Sequence, residues 1–313
     1  MSFAAEVKNE LSRVETEKKC CQLAEIAGFL RVAGSIGLAG LGKFKIIITS
    51  ENPAVIRHYK KLLSDYFDID TVLEVGESSS VGKKRAYNIT IDAENRSEQI
   101  LRETGILLVR EGNNYISDGI YDGIVKNKCC KRAYLRGIFM GAGTMSNPEK
   151  AYHLEFVCRT ENLAKDLKKV INSFSDMQAK EFKRGKLYIV YMKKADYVGD
   201  MLGIMGADSH SLAVANTLVE KSVRNSVNRK VNCDSANLDR TVEAALKQKM
   251  AIEKIEKERG LSWLPEKLRE TAILRKEHPD MSLTALGALF DPPLKKSGIN
   301  SRLKKIEEIA SKL

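Results

Sequence analysis

The 313-residue sequence has no long apolar run that is free of charge. Its densest apolar stretch, Leu23 to Leu41, carries Glu25 and Arg31, and a related later stretch carries Lys131, Arg132 and Arg136. Ions at those positions argue against a membrane-spanning helix. The N-terminal MSFAAEVKNELSRVETEKK has no apolar core behind its charges, so no export signal is expected. Cysteine is sparse: of six, four stand in adjacent pairs, Cys20-Cys21 and Cys129-Cys130, that cannot easily bridge internally. A disulfide framework is therefore excluded, and a cytoplasmic setting is expected. The four histidines, His58, His153, His210 and His278, are scattered without ligand spacing. Zinc sites usually draw on cysteines about two to four residues apart, so the Cys pairs read as small buried residues at helix starts. Neither a metal nor a cofactor is expected. Gly37-Leu-Ala-Gly-Leu-Gly42 lacks the Lys-Ser/Thr of a phosphate loop and suits a tight hairpin turn.

What the sequence does have is a basic surplus, +11 in formal charge, with 43% hydrophobic residues, enough for a real core. The surplus points to an anionic partner if it is clustered and to solubility if it is spread. An internal repeat organises the first two thirds. KCCQLAEIAGFLRVAG (Lys19–Gly34) and KCCKRAYLRGIFMGAG (Lys128–Gly143) share Lys19/Lys128, Cys20/Cys129, Cys21/Cys130, Ala24/Ala133, Gly28/Gly137, Ala33/Ala142 and Gly34/Gly143. Each is followed by an apolar strand (Phe44 to Thr49; Leu154 to Cys158), a Glu-Asn-x-Ala step (Glu51 to Ala54; Glu161 to Ala164) and a helix. A turn-rich segment and an alternating, tyrosine-bearing strand come next, Arg85 to Ile91 and Leu187 to Tyr191. Each copy thus reads helix, hairpin, helix, hairpin, helix, and two copies imply a pseudo-twofold α+β domain. Ala24, Ala27 and Gly28, and Ala133, Gly137 and Gly141, form small-residue faces that let another helix approach closely.

Ile26 to Gly34 and Leu135 to Gly143 resemble the signature helices of the LAGLIDADG homing endonucleases. In that family each helix delivers an acidic residue just before its last glycine to hold a divalent metal. Here those positions are Ala33 and Ala142, and the motif's other aspartate position is Arg31 or Met140. Alanine offers no oxygen to a hard cation, so cleavage by that mechanism is not expected and no catalytic residue is assigned. A rival reading keeps a metal-dependent endonuclease that uses acids outside the motif, such as Asp118 or Asp122.

Beyond Gly206 strand patterns stop. Helices are expected over Ser211 to Val223 and Leu238 to Arg259, with three shorter ones after them. Between the first two, Lys221 to Lys230 carries four basic residues and no acid, followed by the Asn-rich Val231 to Asn237. This segment is either a solvated connector or a phosphate-contacting linker in which Arg224, Asn228, Arg229 and Lys230 touch a nucleic-acid backbone. Pro265 opens a helix to Lys276, His278-Pro-Asp breaks it, Ser282 caps a helix from Leu283 to Phe290, and Asp291-Pro-Pro stops that helix before a final one begins at Ser297. Helix, turn, helix is the natural reading, at about 282–308. In the last helix Ile299, Leu303 and Ile306 share a buried face. Lys295, Lys296, Ser297, Asn300, Ser301, Arg302, Lys304 and Lys305 are the candidate DNA-binding residues, Arg302 matching guanine, Asn300 matching adenine and the lysines matching phosphates. An ordinary basic surface helix is the alternative.

The doubled degenerate LAGLIDADG repeat, the Asn-Arg-x-x-Asn-Cys run at Asn228 to Cys233 and DPPLKKSGINSRL at Asp291 to Leu303 together resemble the WhiA family of bacterial transcriptional regulators, over nearly the whole chain. The resemblance implies a nucleoid-associated regulator of transcription linked to sporulation, cell division or chromosome segregation. Double-stranded DNA is then the partner, with the repeat domain offering a surface for a protein partner in addition; no membrane is involved. A basic scaffold that binds acidic proteins is the competing non-enzymatic reading. The expected domains are a first repeat over 1–110, a second over 111–206, a helical basic linker over 207–237 and a helical DNA-binding domain over 238–313.

Overall fold

Small residues decide the centre of the molecule. In the computed structural model, which describes residues 2–40, 43–77 and 85–313, the two repeat helices α2 (Lys19–Ala33) and α5 (Lys128–Ala142) pack face to face at their glycines. A Cβ on Gly28 would lie 2.4 Å from the Tyr134 carbonyl oxygen, and one on Gly137 would lie 2.2 Å from that of Glu25. Only hydrogen fits at either place, which offsets the roughly 1 kcal/mol that glycine costs in a helix interior.

Around this pair the chain runs twice through one plan. An N-terminal helix α1 (Phe3–Leu11) precedes α2; then follow β1 (Gly34–Leu38), β2 (Phe44–Ser50), α3 (Pro53–Phe67), β3 (Leu73–Glu77), β4 (Arg85–Ile91) and α4 (Ser97–Glu103). A hairpin, β5 (Leu107–Arg110) and β6 (Asn113–Ile116), and a short 3-10 turn over Asp122–Val125 lead to α5. The second copy continues as β7 (Gly143–Met145), β8 (Leu154–Cys158), α6 (Glu161–Asn172), β9 (Lys180–Arg184), β10 (Leu187–Met192) and α7 (Ala195–Met205). The two sheets have equivalent orders, β1-β2-β4-β3 and β7-β8-β10-β9, and every pairing is antiparallel. This is the two-repeat LAGLIDADG-like architecture, with the expected strands and helices in the expected order.

Two local expectations need correction, the first domain boundary and the break expected among the C-terminal helices. The boundary drawn at 110/111 falls inside the β5–β6 hairpin, whose turn uses Glu111 and Gly112 at positive φ. The turn between β1 and β2 has Gly40 at φ 84°, while Leu41 and Gly42 of the glycine-rich run lie outside the described residues, as do 78–84 of the turn-rich segment. The two helices expected around the basic, Asn-rich stretch are one unbroken helix, α8 (Asp208–Arg259). No proline or glycine interrupts it, and asparagine's weak helix propensity, a few tenths of a kcal/mol per residue relative to better formers, is too small to break a helix continued on both sides.

The chain divides into two compact units, residues 1–220 and 221–313, with the boundary inside α8. Each has its own core. The first is built on the α2–α5 seam and the inner faces of the sheets, with Phe29 stacked on Tyr59. The second gathers Ile252 and Ile255 of α8 with Leu268 and Ala272 of α9 (Glu266–Glu277), Leu286 of α10 (Leu283–Gly287), and Ile299, Leu303 and Ile306 of α11 (Lys296–Lys312). Ser282 caps α10 as expected, its hydroxyl accepting from the Ala285 amide, but α10 stops at Gly287 rather than Phe290. At Gly287 the chain folds back, and the Leu294 amide donates to the Gly287 carbonyl at 2.9 Å. A Cβ there would meet the Leu294 carbonyl oxygen at 2.2 Å.

Candidate nucleic-acid interface

The final helix sorts its residues by angle. At about 100° per residue, Ile299, Leu303, Ile306 and Ala310 fall on one arc, and all four are buried. Ser297, Asn300, Ser301, Lys304 and Lys305 fall on the opposite arc, and all are exposed; Lys295 at the N-cap and Lys296 lie beside the buried arc but are exposed at the free N-terminal end of the helix. The first three turns of α11 therefore present a continuous face of cations, hydroxyls and one amide, with no carboxylate until Glu307 and Glu308. Lys295 makes no side-chain cap, so the positive helix end lies under the same face.

Arg302 departs from this pattern. It lies at the edge of the buried arc, on the side of α9, with its side chain 21% exposed. Nη1 donates to the Lys267 carbonyl at 3.3 Å and to Thr271 Oγ1 at 3.4 Å, and the guanidinium stands 5.3 Å over the Phe290 ring. Glu270 lies 3.9 Å away. Arg302, expected to match guanine, is instead turned by helical spacing toward α9, where its Nη1 is engaged.

Arg224, Asn228, Arg229 and Lys230 are all exposed on α8. Arg224 and Asn228 lie one turn apart on one side, but Arg229 and Lys230 point elsewhere, each step rotating about 100°. The helix does not gather them into one surface.

The C-terminal ends of α2 and α5 do not suit a divalent metal. Ala33 and Ala142 bring methyl groups where oxygen ligands would be needed. A groove of about 910 Å3 beside Met140, Gly141 and Gly143 is lined by Lys8, Arg13 and Arg57 with Glu51 as its acid. Burial lowers the Lys8 ammonium to about 8, against the pull of Glu51. This donor set suits an anion, so a hard cation does not fit. Arg31, at an old aspartate position, instead donates to the carbonyls of Ser117 and Gly105 and anchors the chain on both sides of the β5–β6 hairpin. Asp118, considered as an alternative acid, is held by Asn162 Nδ2 at 2.7 Å.

Two arrangements escaped sequence reasoning. Glu25, fully buried in α2, accepts from Arg136 of α5 (Nη2 at 2.6 Å, Nε at 3.0 Å), from Thr16 at 3.0 Å, and contacts His58 Nε2 at 2.7 Å. Burial alone would raise its pKa; the His58 hydrogen bond and the Arg136 charge outweigh that and hold it below the ordinary carboxylate value. The pair breaks the repeat, because Glu25 aligns with Tyr134 and Arg136 with Ala27. The second is the cysteines: the Sγ atoms of Cys20, Cys21, Cys129 and Cys130 all lie within 4.8 Å of one another. Only Cys21 and Cys130 are buried, so the reading of all four as buried packing residues is corrected. Burial raises the Cys21 thiol well above its ordinary value and the Cys130 thiol to about 11, whereas a hydrogen bond with Cys21 lowers Cys129.

Among the described residues no helix is long and apolar enough to cross a membrane. Three family descriptions match consecutive stretches: the WhiA N-terminal LAGLIDADG-like domain over 19–107, the WhiA LAGLIDADG-like domain over 131–224, and the WhiA C-terminal HTH domain over 227–310. Proteins named "Probable cell division protein WhiA" are similar over full length. That of Clostridium novyi is 42% identical over 313 residues, spanning 100% of this chain and 98% of the relative. That of Clostridium beijerinckii is 44% identical over 314 residues, spanning 100% and 99%. The fold is similar to the crystal structure of full-length WhiA from Thermatoga maritima, at 27% identity and a TM-score of 0.62, covering 100% of this chain and 99% of that one.

Proposed function

This chain belongs to the WhiA family, and from that membership and the geometry of α11 we propose that it is a sequence-specific DNA-binding regulator of transcription whose nuclease-like body is catalytically silent. The observation that carries the reading is the exposed face of α11 that joins Lys304 and Lys305 to Ser297, Asn300 and Ser301, turned away from its own core, with Lys295 and Lys296 exposed at its N-terminal end. A helix presented this way can enter the major groove with its N-terminal turns against base edges. In this reading Asn300 contacts a base, Ser297 and Ser301 contact bases or sugar-phosphate, and Lys295, Lys296, Lys304 and Lys305 neutralise phosphates. Arg302 positions α11 against α9 and acts on DNA through that placement. On α8, Arg224 and Asn228 supply a secondary backbone contact from one side of the helix, with Arg229 and Lys230 peripheral to it. The cationic groove around Lys8, Arg13 and Arg57 gives the body a weak affinity for phosphate without a metal to cut it. On this reading the regulated genes serve division, which the relatives' name as cell division proteins supports, with sporulation and chromosome segregation as neighbouring processes, and the protein works on the nucleoid.

Binding of the full chain to labelled promoter duplex across a salt series tests this. Affinity falls with salt at a slope of about −0.9 per phosphate neutralised. Lys304→Ala weakens binding to all sequences alike and lowers that slope by about one phosphate, whereas Asn300→Ala costs about 1 to 3 kcal/mol on the preferred sequence only. Supercoiled plasmid with magnesium or manganese stays intact. Binding that ignores both substitutions, or nicking of the plasmid, sinks the proposal.

A further inference from the structure

The paired cysteines take no part in the function just described, and their spacing along the chain argues against a metal. Their arrangement in space argues the other way. Cys20-Cys21 and Cys129-Cys130 occupy the first turns of α2 and α5, and the close approach of those helices brings all four sulfurs within 4.8 Å of one another, with Cys129 and Cys130 Sγ 4.0 Å apart. A zinc ion with four sulfurs at about 2.3 Å sets the sulfurs about 3.8 Å apart. The observed cluster needs only small side-chain rotations to close to that tetrahedron.

The surroundings suit the charge such a centre carries. Four thiolates around a divalent ion leave a net charge of −2. The cluster sits at two positive helix ends, neither helix has an acid in its first turn, and neither N-cap side chain, Lys18 or Asn127, caps the first-turn amides. The Cys21 amide donates to the Lys18 carbonyl; the amides ahead of it in the first turn are left to donate to thiolate. Lys18, Lys19, Lys128 and Lys131 flank the pairs in sequence and add positive charge. Two cysteines are buried and fix the inner half of the site; Cys20 is exposed, giving the ion a route in.

We propose that Cys20, Cys21, Cys129 and Cys130 form a four-thiolate zinc site that staples the N-terminal ends of the two repeat helices together. Each thiol releases its proton to solvent as its sulfur binds, with no change in oxidation state. All-sulfur ligation selects zinc over magnesium or calcium, and with no open position the site is structural. It lies at the opposite end of these helices from Ala33 and Ala142 and owes nothing to the nuclease motif.

The test uses the full chain, purified under reducing conditions without chelator. Elemental analysis gives one zinc per chain, and replacement by cobalt gives the sulfur-to-metal charge-transfer absorption and the visible bands of tetrahedral thiolate coordination. Cys20→Ser and Cys129→Ser, at exposed and half-exposed positions, keep the far-ultraviolet circular dichroism of the parent but lose most of the metal and the cobalt bands. Cys158→Ser and Cys233→Ser lose neither. Stripping zinc lowers the Tm of the parent and leaves that of Cys20→Ser unchanged. The proposal is overturned if the folded parent retains no zinc and shows no thiolate–cobalt bands, or if the reduced, metal-loaded protein gives the same bands after both Cys20 and Cys129 are replaced. A disulfide across the two helices in freshly isolated protein, in place of metal, overturns it as well.

Discussion

Glu25 shows how much one side chain can carry at the centre of this fold. It has no access to solvent, and its two oxygens are shared among Arg136, Thr16 and His58, while Arg136 also donates to the Met205 carbonyl. Taking both ions out of water is expensive, and replacing the pair by apolar groups need not destabilise the protein; removing one partner strands the other. Glu25→Gln keeps the shape and removes the charge, so it should cost about 3 to 5 kcal/mol in urea unfolding. The pH dependence has a definite sign. The folded carboxyl titrates below its unfolded value, the ordinary 4.5, so its stabilisation is complete above that value and is lost as pH falls through the lower, folded one. Urea midpoints measured below neutrality should decline on the acid side in the parent and decline less in Glu25→Gln. An acid limb unchanged by the substitution would show that other carboxylates govern it. In the sequence Glu25 bears only on excluding a membrane span, because its partner lies 111 residues away and nothing in local patterning links them.

At the scale of elements, the repeat was legible because it is written twice. Shared glycines and alternating strands specify α2 to α4 and α5 to α7, and the glycines meet the facing backbone as their small size implies. The continuity of α8 was not legible: asparagine and serine favour turns locally, but their effect is small against a helix propagating from both sides. Nor was the convergence of the cysteines, which depends on how two helices cross. In α11 the buried face and the exposed basic face follow from helical periodicity, yet Arg302 required the neighbouring α9 to be seen. Arg302→Ala removes two long hydrogen bonds and a cation–ring contact and should cost about 1 kcal/mol of stability. It should lower the Tm and weaken DNA binding together, whereas Lys304→Ala weakens binding at unchanged Tm. If Arg302→Ala abolishes base preference with no loss of Tm, the arginine is a reader after all.

For the whole molecule, the two cores share no residue, so they should melt as separate units. Gly137→Ala places a methyl 2.2 Å from the Glu25 carbonyl oxygen, and Gly287→Ala places one equally close to that of Leu294. Overpacking of this kind costs about 1 to 3 kcal/mol. Calorimetry of the parent should resolve two transitions; Gly137→Ala should shift only that of the repeat body and Gly287→Ala only that of the C-terminal unit. A single transition moved equally by both would mean one cooperative structure. The unequal Glu25–Arg136 pair also bears on how the two halves depend on one another. A symmetric dimer of the first half would set two Glu25 carboxylates in the seam with His58 beside them but no arginine, and one of the second half two Arg136 guanidiniums without Glu25. Neither half can therefore pair with its own copy and keep that seam balanced, so each repeat is obliged to its unlike neighbour.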